Sequence, residues 1–217
     1  MEIIITADGS DTLFVPEINE HYHSTLGAVQ ESDFIFIKNG LGFCTADPVR
    51  IFEVGFGTGL NALLSAVYSL KNDRRVYYTS IEKDPLPEYI IKQLNYPEFV
   101  DEDGQELFRS IHSCNWNIRQ KIHLNFFLEK IDADLLGWDP EGEYDLIYFD
   151  AFCPDKQPEL WTRDIFTKIE QITVRGGILV SYSVKGEVKR VLRQNGFRVN
   201  RLPGPPGKRH ILRAIKI

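Results

Sequence analysis

The sequence lacks the segments that place a protein in or across a membrane. It contains no apolar run of about eighteen residues, the length that crosses a bilayer as a helix. The N-terminus, Met1-Glu-Ile-Ile-Ile-Thr6, has neither the basic region nor the cleavage site of a signal peptide. We therefore expect a cytoplasmic protein with no membrane partner.

Cysteine and metal-binding patterns are also scarce. The three cysteines, Cys44, Cys114 and Cys153, are odd in number and widely spaced, so they indicate neither a disulfide framework nor a zinc site. The five histidines form no His-Glu-x-x-His pattern, and His21 and His23 have no apparent third partner for a metal. These absences suit a reducing compartment and predict a protein without a metal.

Acidic residues outnumber basic ones, but the basic residues are concentrated near the C-terminal end. The net charge is −6, whereas residues 183–217 carry +9 and leave −15 on residues 1–182. A basic segment on an acidic body is typical of a protein that contacts the phosphates of a nucleic acid locally. A solvated basic helix face would give the same charge pattern.

The most informative segment runs from Ile51 to Asn61, with the sequence Ile-Phe-Glu-Val-Gly-Phe-Gly-Thr-Gly-Leu-Asn. It predicts a buried strand, a glycine-rich turn and the start of a helix. Glycine lacks a β-carbon, so the backbone of such a turn can approach a ligand closely. The free N–H groups at the start of the helix would face that ligand. We therefore expect a nucleotide-like cofactor, although a tight turn without a ligand would show the same glycines.

The glycine spacing separates two classes of cofactor. In the Gly-x-Gly-x-x-Gly pattern of dinucleotide-binding proteins, the third glycine would fall at Leu60 or Ala62, which disfavours a Rossmann oxidoreductase. The Glu-x-Gly-x-Gly-x-Gly string that stands here resembles motif I of class I S-adenosylmethionine-dependent methyltransferases. A carboxylate at Glu53 would face the cationic end of that cofactor, and it would repel a pyrophosphate.

Two further acids follow predicted strands. Glu82 ends a β-branched and aromatic run about twenty residues after the glycine turn, where such folds place a carboxylate on the ribose hydroxyls. Asp132 follows a later strand and by analogy would bind the adenine amino group, with Asp134 as the alternative. The predicted cofactor-binding residues are Glu53, Gly55, Phe56, Gly57, Thr58, Gly59, Asn61, Glu82, Lys83 and Asp132.

Apolar patterning predicts an α/β fold, in which strands and helices alternate from residue 49 along a mostly parallel sheet. The last two strands should pair antiparallel because only a short turn joins them. This pattern resembles the Rossmann-like class I methyltransferase fold, with residues 1–48 as a small N-terminal β extension and 49–217 as the methyltransferase domain. The strands are predicted within 2–15 and at 34–38, 49–54, 76–82, 122–128, 144–149, 177–183, 197–201 and 209–216, and the helices near 59–71, 86–94, 103–112, 158–171 and 185–194.

Asp150 follows the strand at 144–149, so it is expected at the same sheet edge as the glycine turn. The string Asp150-Ala-Phe-Cys-Pro-Asp-Lys-Gln-Pro-Glu-Leu-Trp-Thr162, the glycine string and Gly207-Lys-Arg-His210 together resemble the tRNA (5-methylaminomethyl-2-thiouridine)-forming methyltransferase family. The head is similar to that family too, in the strings Asp8-Gly-Ser-Asp-Thr-Leu13, His23-Ser-Thr-Leu-Gly-Ala28 and Glu31-Ser32. The chain resembles the standalone version, without the FAD-dependent oxidoreductase domain that many members carry.

The resemblance implies S-adenosyl-L-methionine-dependent N-methylation of the 5-aminomethyl group of (2-thio)uridine at the tRNA wobble position. Asp150 would orient the amine, stabilise its charge and help to remove its proton. The expected partners are the tRNA anticodon stem-loop and a separate FAD-dependent oxidoreductase acting upstream. The predicted substrate-binding residues are Phe152, Pro154, Lys156, Tyr182, Lys185, Lys189, Arg190, Lys208 and Arg209. Five of these are expected to contact phosphates: Lys185, Lys189, Arg190, Lys208 and Arg209. Trp161 is expected to be a core aromatic instead.

Two other functions fit part of the pattern. A small-molecule N- or O-methyltransferase would keep Glu53, the glycines and Glu82, but it would not need the basic C-terminal segment. A non-catalytic tRNA- or cofactor-binding module would keep the basic segment without needing Asp150.

Overall fold

The computed structural model describes residues 1–101 and 103–217. The N-terminal residues form a three-stranded antiparallel sheet of β1 (Glu2–Ile5), β2 (Asp11–Val15) and β3 (Glu20–His21). Asp8 fixes the turn between β1 and β2, because its Oδ1 accepts hydrogen bonds from the Ser10 amide (3.0 Å) and the Thr6 hydroxyl (2.7 Å). The two strands and the turn predicted within residues 2–15 are confirmed, and β3 is an addition to them.

Residues 28–41 form one continuous helix, so the strand predicted over 34–38 is wrong. The helix begins as α1 (Ala28–Ser32) and continues as a π-helix (Asp33–Leu41). Its buried face lies on the main sheet, where the Phe36 and Tyr148 rings are 5.0 Å apart. A short apolar run such as Phe34 to Ile37 fits a buried strand and a buried helix equally well. Packing against the sheet face decided between them.

Eight strands build the main sheet: β4 (Val49–Val54), β5 (Val76–Glu82), β6 (Gln120–His123), β7 (Phe126–Asp132), β8 (Tyr144–Phe149), β9 (Thr173–Ser181), β10 (Phe197–Pro203) and β11 (His210–Lys216). Their order is β10-β11-β9-β8-β4-β5-β7-β6. The five central strands run parallel, whereas β11 pairs antiparallel with both β9 and β10. The mostly parallel sheet and the antiparallel final pair are therefore confirmed.

The single strand predicted over 122–128 is wrong, because these residues belong to two strands, β6 and β7, and to the turn between them. β6 and β7 form an antiparallel hairpin around Leu124 and Asn125. The Asn125 carbonyl accepts a hydrogen bond from the Val76 amide (2.7 Å), which holds the hairpin turn beside the start of β5. From there β7 pairs in parallel register with β5, and the last pair is Glu82 with Asp132. The periodicity alone did not show the turn because both strands are partly apolar.

Helices cover both faces of the sheet: α2 (Leu60–Lys71), α3 (Glu88–Ile91), α4 (Gly104–Ser113), α5 (Arg163–Ile172) and α6 (Gly186–Gln194). The helix predicted over 158–171 is divided, because a 3₁₀ turn at Pro158–Trp161 precedes Thr162, whose hydroxyl caps α5 by accepting from the Ile165 amide (3.4 Å). The helix predicted over 86–94 is reduced to α3. Within residues 1–101 and 103–217, no helix is long and apolar enough to cross a membrane.

Two hydrophobic cores hold the sheet between its helices. On one face, Leu63 of α2 and Ile111 of α4 pack with Ile35 of the π-helix. On the other face, Phe166 of α5 and Leu192 of α6 are completely buried. Each such side chain stabilises the fold by about 1.5–3 kcal/mol relative to leaving it exposed. Leu13 and Ala28 join the first core, so residues 1–48 have no separate core of their own.

Candidate active site

A cavity of about 820 Å³ lies at the carboxyl ends of β4, β5 and β8. In open α/β sheets this is the edge at which ligands bind, since the turns that follow the parallel strands converge there. Residues of the N-terminal extension, among them Tyr22, His23 and Glu31, line the cavity together with residues of the methyltransferase domain. The extension therefore forms part of the cavity wall.

The glycine turn adopts a backbone that other residues rarely reach. Gly55, Gly57 and Gly59 have φ angles of 91°, 50° and 72°, in the left-handed region that favours glycine. A β-carbon at Gly55 would lie 2.9 Å from the Asp150 carbonyl oxygen, and one at Gly57 would lie 3.1 Å from the Tyr22 ring. The glycines thus let the turn lie directly against both the loop after β8 and the N-terminal extension.

Glu82 joins the glycine turn to the end of β5. Its Oε2 accepts a hydrogen bond from the Gly57 amide (2.9 Å), and its Oε1 accepts one from the Asp84 amide (2.9 Å). The half-buried carboxylate also lines the cavity. This is the position from which the sequence predicts a contact to ribose hydroxyls.

Asn61 lies between two carboxylates. Its Nδ2 donates hydrogen bonds to Glu53 Oε1 (3.0 Å) and to Asp150 Oδ2 (2.8 Å). The second oxygen of Glu53 accepts from the Ser80 hydroxyl (2.6 Å), so this buried carboxylate is held within the protein. Glu53 does not line the cavity, whereas Asn61 and Asp150 do. The predicted contact of Glu53 with the cofactor stays a prediction, and the geometry offers this residue a different role.

The environment favours the neutral forms of both carboxyl groups. Burial raises the pKa of Glu53 to about 7, although hydrogen bonds from Ser80 and Asn61 oppose the shift. Burial also raises the pKa of Asp150 well above its ordinary value, and the nearby charge of Glu53 adds to the effect. Two carboxylates this close to one another disfavour joint ionisation.

The structure separates the two candidates for the adenine-binding acid. Asp132 is exposed and does not line the cavity, whereas Asp134 does. Asp134 forms an ion pair with Lys83 (3.0 Å) and accepts a hydrogen bond from the Leu136 amide (3.0 Å). That backbone hydrogen bond and Lys83 lower the pKa of Asp134. Placement therefore favours Asp134, the alternative that the sequence left open.

Aromatic side chains form another part of the cavity wall. Phe152 contacts Tyr22 edge-on, with ring centroids 5.0 Å apart, and both rings line the cavity. Tyr182 also lines it and donates its hydroxyl to the Ala151 carbonyl (2.8 Å). Trp161 is buried among core aromatics, in agreement with the expectation, and its indole N–H donates to the Phe152 carbonyl (2.8 Å). Pro154 is buried and lies outside the cavity lining.

The six cations among the predicted substrate-binding residues occupy different environments. Lys156 and Lys208 line the cavity, whereas the other four do not. Lys208 forms an ion pair with Glu31, and its ammonium lies 4.5 Å from the centroid of the Tyr182 ring. Lys185 forms an ion pair with Asp155 at the surface. The four outside the cavity lining are Lys185, Lys189, Arg190 and Arg209.

The sequence did not single out the side chains that the N-terminal extension brings to the site. His23 Nε2 lies 2.7 Å from the Thr58 hydroxyl, so the extension contacts the glycine turn directly. Burial lowers the pKa of His23 to about 4, which keeps the imidazole neutral at pH 7. The strings around His23 and Glu31 had been noted only for their resemblance to a family. The one sequence feature that could have pointed to this part of the site is the polar character of these strings, where the strand and helix patterns are weak.

Thirty-seven residues line the cavity, among them seven of the ten predicted cofactor-binding residues. Glu53, Gly59 and Asp132 are the three that do not. Within residues 1–101 and 103–217, no group of three or more His, Cys, Asp or Glu side chains is arranged to hold a metal ion.

Comparison with known proteins of similar sequence and similar fold identifies the class of the site. Residues 100–217 match the family model of S-adenosyl-L-methionine-dependent methyltransferases. The chain belongs to this family. The methyltransferase fold, predicted from the alternation of strands and helices, and S-adenosyl-L-methionine as the cofactor, predicted from the glycine string, are thereby confirmed.

Two curated relatives are named tRNA 5-methylaminomethyl-2-thiouridine biosynthesis bifunctional protein MnmC. The chain is 31% identical to the protein of Leptospira interrogans over 211 residues, covering 90% of the chain and 32% of the relative. It is 29% identical to that of Idiomarina loihiensis over 209 residues, covering 88% of the chain and 34% of the relative. This methyltransferase thus spans about a third of the length of the curated relatives it matches.

Solved structures agree with the family. MNMC2 from Aquifex aeolicus superposes with a TM-score of 0.80 at 27% identity, covering 99% of this chain and 69% of that one. A methyltransferase from Pyrococcus furiosus superposes with a TM-score of 0.54 at 18% identity, covering 96% of this chain and 89% of that one, a likeness in fold alone.

Proposed function

We propose that this methyltransferase transfers a methyl group from S-adenosyl-L-methionine to the 5-aminomethyl nitrogen of (2-thio)uridine at the tRNA wobble position. The product is 5-methylaminomethyl-(2-thio)uridine. The observation that carries the proposal is the position of Asp150, a carboxyl group held beside the glycine turn in a cavity of about 820 Å³. The names of the curated relatives and the resemblance of the Asp150–Thr162 string support the choice of substrate.

The residues present fit the cofactor. Gly55 and Gly57 of the glycine turn line the cavity, and Glu82 presents a carboxylate in the same wall. Asn61 Oδ1 is buried and has no hydrogen-bond partner among residues 1–101 and 103–217, so it can accept from an amino group. Gly57, Glu82, Asn61 and Asp134 would hold the cofactor, which supplies an electrophilic methyl group when it is bound.

Asp150 is the residue that acts on the amine. An alkylamine is mostly protonated at pH 7 and must lose a proton before its nitrogen can attack. Asp150 would accept a hydrogen bond from the ammonium, orient the nitrogen and take up the released proton. Burial raises the pKa of Asp150 in the empty site, and a bound cationic amine would favour its charged form, the form that can accept the proton. Holding the nitrogen in line supplies much of the rate enhancement.

The cavity and its rim suit a nucleotide presented by a folded RNA. Phe152, Tyr22 and Tyr182 offer aromatic rings to an unpaired base, which is how proteins commonly read single-stranded RNA. Desolvation lowers the pKa of His210, and the charges of Arg201, Arg209 and Lys189 add to the effect, which indicates a cationic surface formed by β10, the turn before β11 and α6. Such a surface would bind the phosphates of the anticodon stem-loop.

The aminomethyl group must be made before it can be methylated. We propose that an FAD-dependent oxidoreductase acting upstream supplies it, in keeping with the word "bifunctional" in the names of the longer curated relatives. The test uses tRNA from cells that lack this oxidoreductase as the substrate. Methylation of that tRNA should require that the oxidoreductase be added to the assay.

The first experiment measures transfer of a radiolabelled methyl group to tRNA from cells lacking this gene, followed by mass spectrometry of the nucleosides. We expect one added methyl on 5-aminomethyl-(2-thio)uridine. If the protein binds the cofactor but methylates free amines as efficiently as tRNA, the small-molecule alternative is correct instead.

The Asp150→Ala variant tests the assigned role. We expect turnover to be lost while affinity for S-adenosylmethionine is largely kept, because the contact to the amine is removed and the glycine turn remains. The isosteric Asp150→Asn variant is the matched control for shape, and it should be as inactive as the alanine variant. Unchanged turnover in either variant contradicts the role.

A further inference from the structure

Glu53 and Asp150 are connected through a single side-chain amide. The Nδ2 atom of Asn61 donates to both carboxylates, at 3.0 Å and 2.8 Å. Asn61 is 3% exposed and Glu53 is 1% exposed, so water does not compete for these hydrogen bonds. The three residues come from three different elements of the fold. Glu53 lies near the end of β4, Asn61 is the second residue of α2, and Asp150 directly follows β8.

Glu53 is held in place by other protein groups, and it therefore sets the orientation of the Asn61 amide. Ser80 on β5 donates its hydroxyl to the Glu53 oxygen that Asn61 does not use (2.6 Å). With both oxygens occupied by the protein and no exposure to the cavity, Glu53 fixes the orientation of Asn61. Asn61 then presents one N–H of its amide to Asp150 at the cavity wall.

We propose that Glu53 and Asn61 are positioning residues for Asp150, and that Glu53 acts on methyl transfer through Asn61 rather than by touching the cofactor. The proposal rests on the proposed function, since Asp150 is taken as the group that handles the amine. It changes the role that the glycine string suggested for Glu53. It also assigns Asn61 a role on the substrate side of the reaction.

The groups around Glu53 and Asp150 determine how each variant should change the pKa of Asp150. The like charge of Glu53 raises the pKa of Asp150, whereas the hydrogen bond from Asn61 lowers it. Removing the Glu53 charge should therefore lower the pKa of Asp150, and removing the Asn61 donor should raise it. Other groups that face the pair remain the same in all variants: Tyr78 and Glu82 on β5, Tyr148 on β8, Tyr182 after β9, Glu31 on α1 and Lys208 in the last hairpin.

The experiment is a pH titration of the Asp150 carboxyl carbon by NMR, in cofactor-free protein carrying Glu53→Gln, Asn61→Ala or Asn61→Asp. We expect the midpoint to move to lower pH in Glu53→Gln and to higher pH in both Asn61 variants. Because the two carboxyl groups titrate as a coupled pair, the midpoints are compared between variants. Glu129→Gln is the matched control, since Glu129 pairs with Arg119 (2.7 Å) away from the cavity. Midpoints that do not move in either direction would overturn the proposal.

A second measurement separates this proposal from direct cofactor binding. Calorimetry with S-adenosylhomocysteine should give an affinity for Glu53→Gln within about 3-fold of the unaltered protein. A loss of 10-fold or more would show that Glu53 contacts the cofactor, and the proposal would be wrong. Neither this readout nor the titration requires tRNA, so failure of the proposed substrate would leave both results interpretable.

Kinetics at saturating cofactor completes the test. We expect kcat to fall by about 100-fold in Asn61→Ala, because misplacing a reacting group by about 1 Å costs that much. If Glu53 positions Asp150 only through Asn61, adding Glu53→Gln to Asn61→Ala should lower kcat no further, when kcat is taken at the plateau of each pH profile so that the effect of the Glu53 charge on the pKa of Asp150 is excluded. Multiplicative losses in the double variant would contradict an action through Asn61.

Discussion

Lys208 forms an ion pair with Glu31, and both side chains line the cavity. The pair joins the hairpin between β10 and β11 to α1, and the second Glu31 oxygen accepts a hydrogen bond from the Ser24 amide (3.0 Å). The two side chains are 29% and 11% exposed, so the pair is largely removed from water. The N-terminal extension and the end of the sheet therefore form part of the cavity wall together.

This pairing changes what we expect of Lys208. The sequence grouped Lys208 with Arg209 as phosphate contacts, but only Arg209 is exposed. We expect Lys208→Met to reduce methyl transfer by 10-fold or more and to leave the salt dependence of tRNA binding unchanged. Arg209→Glu should instead weaken tRNA binding and lower the slope of log affinity against log salt by about 1. Filter binding between 50 and 200 mM salt would measure both.

The double variant Glu31→Gln/Lys208→Met is the control for the ion pair. Removing one partner leaves a poorly solvated charge, whereas removing both does not. We therefore expect the double variant to be more stable to heat than Lys208→Met alone. If Lys208→Met lowered the slope of log tRNA affinity against log salt, this lysine would contact phosphate as the sequence predicted.

The sequence predicted the parts of the site that local backbone chemistry determines. The glycines at 55, 57 and 59 signalled a turn with positive φ angles, and an acid at the end of each of two parallel strands placed Glu82 and Asp150 at one edge. These features depend on residues close together in the chain and on the rule that parallel strands end at the same edge.

Long-range contacts were the part that the sequence could not predict. Whether Lys208 faces solvent or Glu31 depends on how residues 28–41 fold, and the apolar run at 34–37 was compatible with either a strand or a helix. The inward burial of Glu53 likewise depends on Ser80 in the neighbouring strand. No pattern along the chain connects residues that lie on separate elements.

Glu82 should be required for cofactor affinity. Its carboxylate accepts from the Gly57 and Asp84 amides, and a glutamine there would turn an NH₂ group toward one of them. We expect Glu82→Gln to weaken the binding of S-adenosylhomocysteine by 10-fold or more, measured by calorimetry. The control is Glu88→Gln, because Glu88 pairs with Lys92 at the surface. Equal affinity in both variants would remove Glu82 from the cofactor site.

Gly59 should not tolerate a side chain. Its φ of 72° is strained for alanine, and a β-carbon would lie 2.8 Å from His112 Nε2. We expect Gly59→Ala to lower the free energy of unfolding by about 1–3 kcal/mol and to weaken cofactor binding, since α2 begins at the next residue. Gly186→Ala is the control, because nothing lies within 4 Å of its β-carbon position. Denaturant titration would show the prediction to be wrong if the two variants were equally stable.

His112 should make the protein less stable in acid. Its ring packs against Phe56 and Phe108, and burial together with the charge of Lys130 lowers its pKa to about 3. An unfolded histidine titrates near pH 6.5, so below that pH the unfolded state binds more protons than the folded state and stability falls.

The comparison is between the unaltered protein and His112→Gln, which cannot titrate. Between pH 6.5 and 5 the unaltered protein should lose about 2 kcal/mol more free energy of unfolding than the variant. Glu53 has a raised pKa and contributes with the opposite sign, because its folded form binds protons as the pH falls from about 7. That contribution is common to both proteins and cancels in the difference. Parallel stability curves, measured by urea denaturation at several pH values, would show that His112 is not held neutral in the fold.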